Sequence, residues 1–218
     1  MMFPINRSHV SIPCDDVAIS GMLCQPEGAI GVVVCINGST ASRIKPPSDY
    51  VGGVLHMARL ATLWLDAAGL DDCRHGRAEN PAFPPVRRLQ ASFDWLRRNA
   101  ATDDLPLALL ASGHLAAAAL RLASAGTGDI SAMVLRSARL QLPEPGLANI
   151  TAPTLLIAGG LDDGSVGATR GAFAALRCKK RFEVVPGATH AFEEPGSLEV
   201  VARLARGWFL QHTRFVLA

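Results

Sequence analysis

Ile30-Gly31-Val32-Val33-Val34-Cys35-Ile36 is an apolar run with no charged side chain in it. A half-exposed strand alternates apolar with polar residues. This run does not alternate, so it predicts a strand buried on both faces, an interior strand of a parallel sheet. Outward from it the same kind of segment recurs. Val17 to Gln25, Ala61 to Leu65, Leu105 to Ala111, Ser131 to Leu135, Pro153 to Ala158 and Arg181 to Val185 read as further strands. Helical stretches are expected near Tyr50 to Leu60, Val86 to Asn99, Leu115 to Ala123, Val166 to Leu176 and Leu198 to Gln211. Val86 to Asn99 spaces Leu89, Phe93 and Leu96 along one helix face, with arginines on the other. Ser197 is the expected N-cap of the last helix. Asp66 to Pro84, polar and proline-bearing, reads as loop. Strands regularly alternating with helices predict an α/β fold, a mostly parallel central sheet flanked by helices on both faces.

Composition narrows the function. With 218 residues, 49% hydrophobic and 18% charged, the chain is long and apolar enough for one folded domain, expected to span 1–218, and is not disordered. The longest uncharged runs, such as Leu105 to Leu120, are interrupted by Pro106, Ser112, Gly113 and His114, so no membrane span is expected. Twenty-one Lys and Arg against nineteen Asp and Glu leave a net charge of +2 with the signs interspersed, which argues against a nucleic-acid partner. Cys14, Cys24, Cys35, Cys73 and Cys178 show no CxxC and no Cys/His ligand spacing. Neither a zinc site nor a disulfide framework is expected, and no metal or cofactor. Met1 to Pro13 carries Arg7 and His9 but no long apolar stretch, which predicts no secretory signal and a cytoplasmic location.

In an open parallel sheet, ligands bind at the carboxyl ends of the strands. Four segments there carry chemistry: Asn37-Gly38-Ser39-Thr40, Ala111-Ser112-Gly113-His114-Leu115, Gly159-Gly160-Leu161-Asp162-Asp163 and Pro186-Gly187-Ala188-Thr189-His190. Their order resembles the α/β-hydrolases of the dienelactone-hydrolase-like branch, over nearly the whole length. The most specific part is Pro153-Thr154-Leu155-Leu156-Ile157-Ala158-Gly159-Gly160-Leu161-Asp162, followed by Phe182 to His190 and Phe192-Glu193-Glu194-Pro195-Gly196. The resemblance implies an α/β-hydrolase fold with little or no lid, and an acid and a base of a catalytic triad at Asp162 and His190. The chain order nucleophile, acid, base agrees. The physical reading agrees too, because a histidine base needs a carboxylate on one ring nitrogen to leave the other free. The alternative is a turn-forming Asp162 and a loop histidine satisfied by backbone groups.

The nucleophile departs from the pattern. Where the family has Gly-x-Ser-x-Gly, the ungapped flanks place Ala111, Ser112, Gly113, His114 and Leu115, so Gly113 occupies the position of the serine. Glycine adopts the strained elbow conformation at least cost, so the turn survives the loss of the nucleophile. Ser112 is one residue early and reads as a polar residue near a helix start with a capping role. Its use as nucleophile would need a register shift. His114 has two open readings: a neutral imidazole donating to an oxyanion, or a filler of the space left by the missing serine. Asn37-Gly38 stands where the resemblance expects His-Gly. The Asn37 amide and the N–H groups of Ser39 and Thr40 offer an anion-binding turn, or an ordinary Asn-Gly turn. Arg136 and Arg139 match arginines of the family pattern, either for a substrate carboxylate or as surface ion-pair residues. Asp66, ending its strand, resembles a family position and is expected to orient neighbouring loops, and Glu193 and Glu194 read as solvated or helix-dipole groups.

Three functions follow. The first is an enzyme without an acyl-enzyme step, in which the Asp162–His190 dyad performs general-base or lyase chemistry on a small acyl, ester or lactone-like ligand. The second is a non-catalytic descendant that binds such a ligand or supports a partner. The third is a conventional esterase using Ser112. Apolar surface on the last helix suggests a homodimer.

Overall fold

The computed structural model describes residues 3–37, 47–66, 85–127, 129–138 and 146–213. One eight-stranded sheet runs through the molecule in the order β1-β2-β4-β3-β5-β6-β7-β8. β1 (Ile5–Cys14) and β2 (Val17–Pro26) form an antiparallel hairpin, and β2 is antiparallel to β4 (Leu60–Leu65). From β4 onward every pairing is parallel: β3 (Gly31–Asn37), β5 (Leu107–Ser112), β6 (Ile130–Arg136), β7 (Thr154–Gly159) and β8 (Lys180–Val185).

The unbroken apolar run at residues 30–36 falls in β3 from Gly31 onward. It lies between β4 and β5, and its side chains go both ways: Val32, Val34 and Ile36 into one core, Val33 and Cys35 into the other. A strand with apolar contacts on both faces has no use for alternation. Helices α2 (Pro85–Arg98), α3 (Leu115–Ser124) and α4 (Asp163–Ala175) cover the first face, with Leu89, Phe93 and Leu96 of α2 all buried as their spacing predicts. Helices α1 (Pro47–Met57) and α5 (Ser197–His212) pack together on the second face. None of these helices is long and apolar enough to cross a membrane.

Several expectations change. Residues 5–14, read from sequence only for the lack of a signal, form the edge strand β1. Helix α1 begins at Pro47 and stops at Met57, because the chain reverses at Arg59, whose φ is +59°. Ser197 is the first residue of α5, and its N-cap is Gly196, at φ +80°, with no side-chain cap bond. The apolar stripe of α5 is spent inside: Val201, Ala205 and Phe209 are buried, and the exposed large hydrophobics among the described residues lie elsewhere, Tyr50 and Met57 of α1 among them. The expected loop 66–84 lies outside the described residues after Asp66, as does Cys73; Cys24 and Cys35 are buried, as their apolar settings predict.

Candidate functional site

The parallel register brings the candidate residues side by side. Asn37 pairs with Ser112 and Ser112 with Arg136, so the last residues of β3, β5 and β6 form one row at the carboxyl edge of the sheet. Gly113 follows at φ +64°, and α3 starts two residues later at Leu115. This is a strand-to-helix elbow in left-handed backbone, where an L side chain costs about 1–2 kcal/mol. The Gly113 N–H donates to the Arg136 carbonyl (3.1 Å), and the Gly113 carbonyl accepts from Ala116 N–H (3.3 Å). Ser112 is a buried strand residue rather than a helix cap. The N-cap position belongs to His114, whose side chain makes no cap bond. Leu115, where the resemblance expects glycine, is 1% exposed and packs into the core beneath the turn.

The neighbouring loops are tied to this elbow by main-chain bonds. Ser137 N–H donates to Ile157 C=O (2.8 Å), and Ser137 Oγ donates to the carbonyl of His190 (3.0 Å). Gly160 N–H donates to Val185 C=O and Leu161 N–H to Ala188 C=O, both at 2.9 Å. Gly159 makes the approach possible, since a Cβ there would run into the carbonyl oxygens of Thr189 and Ala188. Asp162 and His190 are thereby brought onto adjoining turns.

No hydrogen bond joins them. Asp162 caps α4, its Oδ1 accepting from Ser165 N–H at 3.3 Å, while its Oδ2 is buried with no partner. His190 is exposed. Its electrostatic neighbour is Glu194, whose carboxyl is pushed below the usual range chiefly by a hydrogen bond from the Thr189 hydroxyl and more weakly by His190. Glu194 is therefore folded back on the turn, with Oε2 buried, and is not the solvated group its sequence setting suggests; Glu193 is exposed.

Arg136 completes the cluster. Its guanidinium stacks over the Phe192 ring at 5.5 Å, and no carboxylate among the described residues pairs with it. Desolvation pushes its pKa down to about 10, still cationic at neutral pH. A desolvated cation without a counter-ion makes Arg136 a candidate for holding an anion. Phe192 and Ser137 flank it in left-handed backbone, φ +55° and +45°, strain of the kind that collects at functional sites. Ser137, Phe192 and the bond from Thr189 to Glu194 are features sequence reading missed. Gly38, Ser39, Thr40 and Arg139 lie outside the described residues, as does the Asn37 side chain. Among the described residues no group of three or more His, Cys, Asp or Glu side chains is placed to hold a metal ion.

The sheet order, the elbow and the converging strand-end loops define an α/β-hydrolase. The chain belongs to the dienelactone hydrolase family within that class. It is 35% identical to the dienelactone hydrolase of Anabaena variabilis, whose crystal structure superimposes with a TM-score of 0.87 over 96% of this chain and 99% of that one. The fold is shared more widely: Est1E of Butyrivibrio proteoclasticus, 15% identical, superimposes with a TM-score of 0.75 over 93% of this chain and 98% of that one. A protein of Mycobacterium tuberculosis provisionally named a phosphoribosyl transferase is 36% identical over 209 residues, 96% of this chain and 47% of its own length. The chain thus spans about half the length of the curated relatives it matches. No family model matches the chain.

Proposed function

We propose that this chain is a hydrolase-superfamily enzyme that acts on a small anionic ester or lactone without forming an acyl-enzyme. His190 is the general base, Asp162 the carboxylate that orients it, and Arg136 the anchor for the substrate anion. The observation that carries the reading is Gly113 at φ +64°: the elbow is kept, and the residue on it has no atom to attack with. In the proposed step a water oxygen attacks the carbonyl carbon while His190 takes its proton. The oxyanion draws on main-chain N–H groups at the start of α3, and the proton returns to the leaving alkoxide. The buried, unpartnered Oδ2 of Asp162 supports the pairing, because a buried carboxylate oxygen seeks a donor and the imidazole N–H is carried on the adjoining turn.

The separation of Asp162 and His190 in the structure favours a second reading, a protein that binds the same anion and does not turn it over. Ser112 is a weaker candidate, being held in the strand ladder between Asn37 and Arg136. The phosphoribosyl name of the M. tuberculosis relatives is not carried to this chain, because this chain, which spans about half of them, matches a dienelactone hydrolase over 99% of that protein's length.

The test is turnover of mono-p-nitrophenyl succinate, an anionic ester, beside neutral dihydrocoumarin, by the wild-type chain, His190→Ala and Asp162→Asn. Slow turnover is expected, falling about 100-fold in His190→Ala, the low end of what general-base catalysis contributes. A rate indifferent to His190 would refute the base assignment. Retained ligand binding with no turnover in any form would favour the binding protein.

A further inference from the structure

A cavity of about 570 Å³ lies away from the elbow, between α1 and the β1–β2 hairpin. It shares no lining residue with the cluster at Gly113, Arg136, Asp162 and His190. Strand register explains its floor. His9 pairs with Met22 and Met22 with Trp64, while one step along Arg7 pairs with Cys24 and Cys24 with Thr62. These two rows point to the face that α1 shares with α5. The alternate residues Val10, Ile12, Leu23 and Leu63 turn to the opposite core. Helix α1 packs on β4 and α5, and among the described residues no other helix covers the hairpin's half of this face, where the cavity lies beside α1.

The α1 wall is built to stay open. Gly52 and Gly53 sit within the helix, where glycine is destabilising relative to alanine. Packing does not require them: a Cβ on Gly52 would make ordinary contacts at 3.5 Å to Trp64 Nε1 and 3.6 Å to His56 Cε1, and one on Gly53 would meet nothing within 4 Å. Larger side chains would fill the cavity instead. The lining is apolar in its middle, with Met22, Trp64 and the exposed Met57, and the Trp64 indole N–H has no acceptor among the described residues. Its charge is one-sided. Arg7 and His9 line one end, and no described carboxylate pairs with Arg7. Asp66 lies beyond them, one row past His9 and two past Arg7, about 7 and 14 Å along the strands. Between them His56, bonded to Thr62 Oγ1 at 2.9 Å, is held neutral by burial and by the Arg7 charge and adds no competing cation.

We propose that this cavity is a second binding site, for a small amphipathic monocarboxylate whose apolar body lies on Met22 and Trp64 and whose carboxylate meets Arg7 and His9. Cavities of this size, mostly apolar with a few placed polar groups, are what drug-sized ligands occupy. The inference is independent of the chemistry assigned to the elbow.

The experiment is calorimetric titration of the full chain at pH 7.5 with 4-phenylbutyrate and its neutral counterpart 4-phenylbutanol. One saturable site per chain is expected for the acid, with a Kd on the order of 0.1 mM for a ligand of this size, and at least fivefold weaker binding for the alcohol. Arg7→Gln, a change at an exposed residue, should remove that preference, and Gly53→Leu should abolish binding at undiminished thermal stability. His190→Ala should bind the acid as the wild type does. Equal affinity for acid and alcohol would overturn the proposal, as would binding unchanged in Arg7→Gln or lost in His190→Ala. Concentration-dependent dimerisation without ligand binding would give the face to a second copy and overturn it as well.

Discussion

His56 is a buried histidine whose Nε2 is satisfied by Thr62 Oγ1 at 2.9 Å, and desolvation, helped by the Arg7 charge, pushes its pKa down to about 4. The unfolded chain binds that proton near the ordinary value of about 6.5. Folding therefore opposes protonation, and the stability it represents is present above pH 6.5 and lost as pH falls toward 4. Full loss corresponds to about 3 kcal/mol. Urea unfolding at pH 7.5, 5.5 and 4.5 should show this acid limb, and His56→Gln should flatten it; an equal slope in both proteins would contradict the assignment. Arg136 makes a prediction of a different kind. Arg136→Met keeps an apolar stem on Phe192 and removes the charge, so it should raise KM for a carboxylated ester about tenfold and leave a neutral ester nearly unchanged, in keeping with the worth of one charge-assisted hydrogen bond. Equal changes for both esters would make Arg136 a structural residue.

Among elements, the turn after β7 and the turn after β8 depend on each other through Gly159. Gly159→Ala forces the Thr189 and Ala188 carbonyls away and should cost at least 2 kcal/mol by thermal unfolding, with loss of turnover beyond that expected from stability alone. A neutral substitution would mean that the two turns are not locked. The interior strands were legible because each is a plain apolar run, and α2 because Leu89, Phe93 and Leu96 share one face. Strand β1 was not. One face of this edge strand shows Arg7, His9 and Ser11, polar residues that do not read as strand, and the signal lay in the alternating Val10, Ile12 and Cys14. Helix starts were misjudged where the cap is conformational: Gly196 enters α5 through its left-handed backbone, and the side chain of Ser197 plays no capping part.

Taken whole, the molecule is a sheet between two cores, with its candidate site residues gathered at one edge. That edge was legible in part. Gly113, Asp162 and His190 stand out because each follows a strand, and strand ends converge in a parallel sheet. The left-handed conformations of Ser137 and Phe192 were not, since positive φ at a non-glycine residue leaves no local mark in sequence. Neither was the return of Glu194 onto Thr189, which depends on how this one loop folds back on itself. The same architecture predicts a gradient of protection. Amides of β3 and β5, paired on both sides, should exchange with solvent more slowly than those of β1, which has one neighbour. Comparable protection in all three strands would show that an unseen partner covers the edge.

Intact-protein and peptide mass spectrometry after treatment with a fluorophosphonate, on the wild-type chain and on Gly113→Ser, tests whether the elbow has lost its attacking atom. The wild-type mass should be unchanged, while Gly113→Ser should gain one adduct at residue 113, with His190 near enough to activate the new hydroxyl. An adduct on wild-type Ser112, or an inert Gly113→Ser in a folded protein, would contradict a glycine standing in the nucleophile's place.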